Sequence, residues 1–93
     1  MPIPTSYTEK SLAEYMHAEL GAVAGALGFV VGAADAGSYS EQVNDCLLAY
    51  GVNLIADASD ITKLRALAKV YAWKKAVSGL VLMYDFRADG GQL

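Results

Sequence analysis

Apolar residues in this chain recur at helical spacing from residue 12 onward, and the two-residue alternation of a strand is nearly absent. Leu12, Tyr15, Met16, Leu20, Val23 and Leu27 follow one another at three- and four-residue steps, which predicts an amphipathic helix of about 20 residues. Ser6-Tyr7-Thr8-Glu9 has the form of a capping box at its start. Pro2 and Pro4 ahead of it fix their own φ and bias the preceding residues toward extended backbone, so residues 1–6 are expected to form an arm. Gly21 and Gly25, with Ala18, Ala22 and Ala26 around them, predict a close approach by a neighbouring helix within the core.

After a loop at residues 34–37, Ser38-Tyr39-Ser40-Glu41 offers a second capping box. The helix that follows carries Val43, Cys46, Leu47 and Tyr50 on one side and stops at Gly51. Residues 52–55 form a short apolar connector, and Asp60 is placed to cap a third helix over residues 61–84. At about 100° per residue, Leu64, Leu67, Ala68 and Tyr71 fall on one side of that helix. Val70, Trp73, Val77, Leu80, Val81 and Tyr84 fall on another, roughly 140–150° away. One straight helix cannot bury both stripes in one small core, so it either bends near Ser78-Gly79 or packs its second half against something else. The run Gly79-Leu80-Val81-Leu82-Met83-Tyr84 is apolar on every side and favours the second option.

The predicted architecture is therefore all-α: a bundle of three to four helices with a long C-terminal helix, in a single domain over residues 1–84. Residues 85–93 are expected to form an extended tail, in which apolar and polar positions alternate around Phe86 and Asp89-Gly90 is a turn signal.

Composition sharpens the picture. The chain has 93 residues, 55% of them hydrophobic and 18% charged, with a mean hydropathy of +0.31. A domain this short buries only about two-thirds of its unfolded surface, so some of that apolar surface is expected to meet another chain. The net charge of −3 argues against a general nucleic-acid binder, which needs a basic surface. Its distribution is uneven. Through Asp60, Lys10 stands alone against Glu9, Glu14, Glu19, Asp35, Glu41, Asp45, Asp57 and Asp60, a balance of −7. From Ile61 onward, Lys63, Arg65, Lys69, Lys74, Lys75 and Arg87 face only Asp85 and Asp89, a balance of +4. Such a chain neutralises itself within one fold or meets a copy of itself head to tail.

Candidate chemistry is sparse. His17 is the only histidine, and with Glu14 three residues away it reads as a helix-surface contact rather than an acid–base pair. Cys46, the only cysteine, lies within an apolar stripe and reads as a small core residue. No spacing fits a calcium loop, a zinc site or a phosphate-binding loop, so no cofactor, metal or catalytic residue is expected. The uncharged stretch at residues 20–34 is shorter than the roughly 20 residues a bilayer span needs, and four glycines interrupt it. The basic residues of the third helix scatter around its axis instead of forming a phosphate-tracking stripe.

Several of these segments resemble a known family. Leu64-Arg65-Ala66-Leu67-Ala68, then Trp73 with Ala76, then Tyr84-Asp85-Phe86-Arg87-Ala88-Asp89-Gly90-Gly91 resemble the C-terminal half of the small head–tail connector (adaptor, head-completion) proteins of tailed bacteriophages. The segment from Ser40 to Gly51 is similar to the helix that precedes it there. The resemblance implies a non-enzymatic structural virion protein of the neck, made in the bacterial host cytoplasm. It further implies a homo-oligomeric ring, dodecameric in the assembled virion, that sits below the portal protein. That ring would extend the channel through which packaged DNA passes without sequence-specific binding, and dock the next neck or tail-completion protein. Trp73, Val77, Leu80, Val81 and Tyr84, with Phe86 and Arg87 in the tail, are the expected oligomer and portal interface. Two other readings stay open: a small helical DNA-binding or regulatory protein that uses its basic third helix, and a membrane-active protein of the holin sort resting on residues 20–34.

Overall fold

The computed structural model describes residues 7–86, with side chains described through Leu80. Among the described residues it is all-α: α1 (Glu9–Leu20), α2 (Ala22–Ala26), α3 (Ser40–Tyr50) and the long α4 (Ile61–Phe86), with single 3-10 turns at Gly37–Tyr39 and Ile55–Asp57. α4 is the spine, and α1 and α3 both pack along it.

α1 begins two residues later than the Ser6 box predicts. Thr8 is the cap: its Oγ1 accepts from the Ser11 backbone N–H at 3.2 Å, and Ser11 Oγ accepts from the Thr8 N–H at 3.1 Å. This reciprocal pair satisfies two donors that a helix start leaves open. The residues that follow, Leu12, Ala13, Met16 and Leu20, are buried.

The predicted helix of about 20 residues is cut at Gly21, whose φ of 57° and ψ of −131° lie where a Cβ would clash and only glycine is at ease. The expected close packing at the small residues is not what they do. Gly21, Gly25, Ala18, Ala22 and Ala26 all face outward, and no atom lies within 4 Å of where a Cβ on either glycine would stand. Ala24 is the buried residue of α2. The chain then folds back irregularly over α4, bringing Leu27 and Phe29 against Gly79.

The second predicted capping box is also replaced. Ser38 closes this return loop instead, since its N–H donates to Val30 O at 2.8 Å and its Oγ accepts from the Val30 N–H at 3.0 Å. A 3-10 turn then leads into α3, and the Ser40 hydroxyl donates to Gly37 O at 2.9 Å. Gly51 ends α3 as predicted, in the left-handed region at φ 99°.

Asp60 caps α4 as predicted: its Oδ1 accepts from the backbone N–H of Thr62 at 3.0 Å and of Lys63 at 3.4 Å. The same junction is tied to α3 by Tyr50, whose phenol oxygen accepts from the N–H of Ser59 at 3.0 Å and of Asp60 at 2.9 Å.

The core lies where the three longer helices meet and is built on Leu12, Met16, Tyr39, Val43, Cys46, Leu47 and Leu64. Along α4 the fully buried positions among the described side chains are Leu64, Ala68, Ala72 and Ala76. Each four-residue step advances about 40° around the axis, so the buried line spirals by roughly 120° over that stretch. Its alanines let α1 and α3 come close. Leu67 and Tyr71, predicted on this face, are only partly buried at its edge.

α4 runs helical through Ser78-Gly79 and on to Phe86. Asp85 and Phe86 are therefore helical rather than the start of an extended tail. The predicted arm at residues 1–6, the rest of the predicted tail and Arg87 lie outside the described residues.

Candidate functional site

Among the described residues, four large apolar side chains of α4 reach solvent along one line: Val70 is 50% exposed, Trp73 39%, Val77 54% and Leu80 49%. Their spacing of three, four and three residues is the a–d repeat of a helix-packing seam. Their mean direction lies about 120° around the axis from that of Ala68, Ala72 and Ala76, so α4 fills the core with one side and leaves another open. Val81, Tyr84 and Phe86 continue on the helical backbone. Of the sequence-predicted interface residues, Trp73, Val77 and Leu80 are thus brought into one surface line, and Val70 joins them.

The basic residues of α4 radiate from the axis as predicted, but each has a partner within the chain. Lys69 Nζ lies 3.3 Å from Glu19 Oε1. Lys63 lies over the Tyr50 ring at 4.7 Å, Lys74 over Tyr71 at 5.1 Å and Lys75 over Phe29 at 4.7 Å. Arg65 lies between Tyr7 at 5.6 Å and Tyr15 at 5.2 Å. At exposed sites such cation–ring contacts contribute about 0.5–1 kcal/mol each, so they are modest ties between α4 and its surroundings. Sequence reasoning missed them. Only Tyr71–Lys74, three residues apart on one helix, leaves a local signal.

His17 and Glu14 are not paired with each other. His17 Nδ1 lies 2.7 Å from Tyr39 Oη, and Glu14 Oε2 lies 3.7 Å from Lys10 Nζ. Both line an open groove of about 510 Å³ with Ala18, Phe29, Val30 and Val31. Tyr39 itself is fully buried, and burial raises the pKa of its phenol.

Cys46 is fully buried, as its place in the stripe predicts. Its S–H donates to Leu64 O at 3.5 Å, and burial pushes the thiol up to about 11, away from the thiolate a nucleophile needs. Tyr50 is held below the usual phenol range, first by its hydrogen bond with the Ser59 side chain and then by backbone donors. Asp60 is held below the usual carboxylate range, first by the Lys63 backbone N–H. Both shifts belong to the cap of α4.

Among the described residues, no group of three histidine, cysteine or acidic side chains is placed to hold a metal ion, and no helix is long and apolar enough to cross a membrane. The uncharged stretch at residues 20–34 contains only the five-residue α2 and irregular backbone. Neither a protein-family model nor a curated protein nor a solved structure matches the chain.

Proposed function

We propose that this protein is a non-enzymatic assembly component, a head–tail connector of the tailed-phage type that works by self-association and docking. The observation that carries this reading is the exposed Val70–Trp73–Val77–Leu80 line. The core is complete without it, and an aromatic and three aliphatic side chains at helix-packing spacing are costly to leave in water unless another helix covers them. The resemblance of residues 38–91 to connector proteins supplies the biological setting: a ring below the portal, channel DNA passing through it, and a downstream neck or tail-completion protein docked on it.

The DNA-binding alternative has less support. Lys63, Arg65, Lys69, Lys74 and Lys75 diverge and are already engaged by Glu19 or by aromatic rings.

The test is negative-stain imaging and light scattering of the purified chain, alone and mixed with a phage portal ring. Closed rings, or co-migration with the portal, are the expected result. A chain that neither assembles alone nor binds the portal overturns the connector reading.

A further inference from the structure

The concavities on the described surface differ in how their polar side chains are used. In the groove beside His17, that residue bonds to Tyr39 and Glu14 pairs with Lys10. In the cleft at the start of α1, Thr8 caps the helix, Lys10 is held by Glu14 and Asp35 accepts from the Gly37 N–H. A cavity of about 390 Å³, where the first turn of α3 meets α4 and the return loop, is different.

It is lined by Glu41 and Gln42 of α3, by Lys75, Ser78 and Gly79 of α4, and by Phe29 of the return loop. Among the described residues the Glu41 carboxylate makes no ion pair, and neither the Ser78 hydroxyl nor the Gln42 carboxamide makes a hydrogen bond. Glu41 and Lys75 bring opposite charges to one cavity and do not pair with each other. Gln42 Oε1 is shut away from water without a partner, an acceptor whose demand stays unmet until a donor reaches it. Lys75 Nζ rests 4.7 Å from the centre of the Phe29 ring. A ring face attracts the ammonium charge without accepting its N–H bonds, so Lys75 keeps donors for a group small enough to enter beside Phe29.

Independently of the connector reading, we infer that this cavity binds a small zwitterion of the amino-acid class, carrying one ammonium and one carboxylate. The Lys75 ammonium and the Ser78 hydroxyl receive the carboxylate. The Glu41 carboxylate receives the ammonium, joined by Gln42 Oε1 once its amide turns inward. Each of the four groups then gains the partner it lacks, through hydrogen bonds strengthened by charge. A simple anion would face the like charge of Glu41 and a simple cation that of Lys75, so the two opposed residues select a ligand with both charges. The size is adequate, since small-molecule sites begin at about 300 Å³. Because α3, α4 and the return loop each supply a wall, a bound zwitterion ties the three together and raises the melting temperature with its concentration.

Titration of the isotope-labelled full chain with L-leucine and with β-alanine, followed by NMR, tests this, with acetate and ethylammonium as controls that carry one charge each. The expected result is a saturable shift of the Phe29, Gln42, Ser78 and Gly79 amides at millimolar zwitterion, the range open to a ligand of about ten heavy atoms or fewer in a half-open cavity. Neither control is expected to reproduce it. Glu41→Gln and Lys75→Gln are each expected to weaken binding about fivefold, as the loss of one partly solvated charge contact. Should Lys75→Gln lower the helical circular dichroism, Glu41→Gln decides alone, because Glu41 is exposed and outside the core. Shifts that acetate matches at the same concentration, or that persist unchanged in Glu41→Gln, overturn the zwitterion assignment. No saturable shift from either amino acid overturns the site.

Discussion

His17 Nδ1 lies 2.7 Å from the phenol oxygen of Tyr39, and this bond joins the chain's only histidine to the largest fully buried side chain among the described residues. The two rings meet edge to face with centroids 5.7 Å apart, and Phe29 adds a second edge contact to Tyr39 at 5.9 Å. The pair therefore fastens α1 to the turn before α3 and to the return loop above it. It is asymmetric, because Tyr39 is sealed from water whereas His17 lines an open groove.

That asymmetry predicts unequal costs. His17→Ala strands a buried hydroxyl and is expected to destabilise the fold by about 1–3 kcal/mol. Tyr39→Phe removes the hydroxyl and leaves His17 to water, so it is expected to cost about 1 kcal/mol or less. Urea unfolding of the two variants checks the order, and an equal or reversed order would show that the bond does not satisfy the phenol.

Trp73→Ala and Leu80→Asp are expected to leave helical circular dichroism and the melting temperature nearly unchanged, because both side chains stand outside the core. They are expected to abolish assembly, since aromatic and aliphatic anchors dominate contact energies. Loss of monomer helicity in either variant would place the seam in the core and remove it as an interface. Leu64→Ala is the contrast: Leu64 is fully buried, and its truncation is expected to cost about 2–5 kcal/mol.

Gly21 and Gly25 should respond with opposite signs. Gly21→Ala forces a Cβ into backbone that only glycine enters easily and is expected to destabilise by about 1 kcal/mol or more. Gly25 is helical, with open space where a Cβ would stand, so Gly25→Ala is expected to stabilise by about 0.5–1 kcal/mol. Thermal melts of the two variants decide it. Equal shifts would mean that α1 and α2 form one uninterrupted helix.

Burial pushes the Cys46 thiol up to about 11 and raises Tyr39 above its ordinary value. A raised pKa favours the neutral form in the folded chain. The stability this contributes is fully present below the ordinary thiol range and is lost as pH rises through about 11. Unfolding by urea at a series of alkaline pH values should show this loss. In the same vein, a thiol-reactive disulfide reagent at neutral pH is expected to label Cys46 only as fast as the chain opens, with rapid labelling once denaturant is added. Rapid labelling of the native chain would contradict its burial.

Much of the fold was legible because its signals are local. The three- and four-residue spacing of Leu12, Met16, Val43, Cys46, Leu47 and Leu64, the stop at Gly51 and the cap at Asp60 depend on neighbours within one or two turns. The capping boxes at Ser6 and Ser38 were not legible, because several hydroxyls compete for one helix start and only the folded chain selects among them. Ser38 is drawn away by Val30, eight residues distant, while Thr8 and Ser11 satisfy each other. The role of the small residues was misread for a related reason. Glycine and alanine tolerate close packing, a sharp turn and open solvent alike, so spacing alone cannot tell which they serve.

The same division holds for the candidate site. By itself the sequence determined that the protein is helical, that α4 carries two apolar faces too far apart for one core, and that its cations scatter, since these follow from residue type and the angle a helix turns per residue. Only the tertiary structure decided which face is covered. A line of alanines, weak in any hydrophobic pattern, takes the core side because it lets α1 and α3 approach, and the bulkier Val70, Trp73, Val77 and Leu80 are left outside. It also decided that Lys69 meets Glu19 and that Arg65 lies between Tyr7 and Tyr15. Such pairings join residues some fifty positions apart, and no local rule carries information over that distance until the chain has folded.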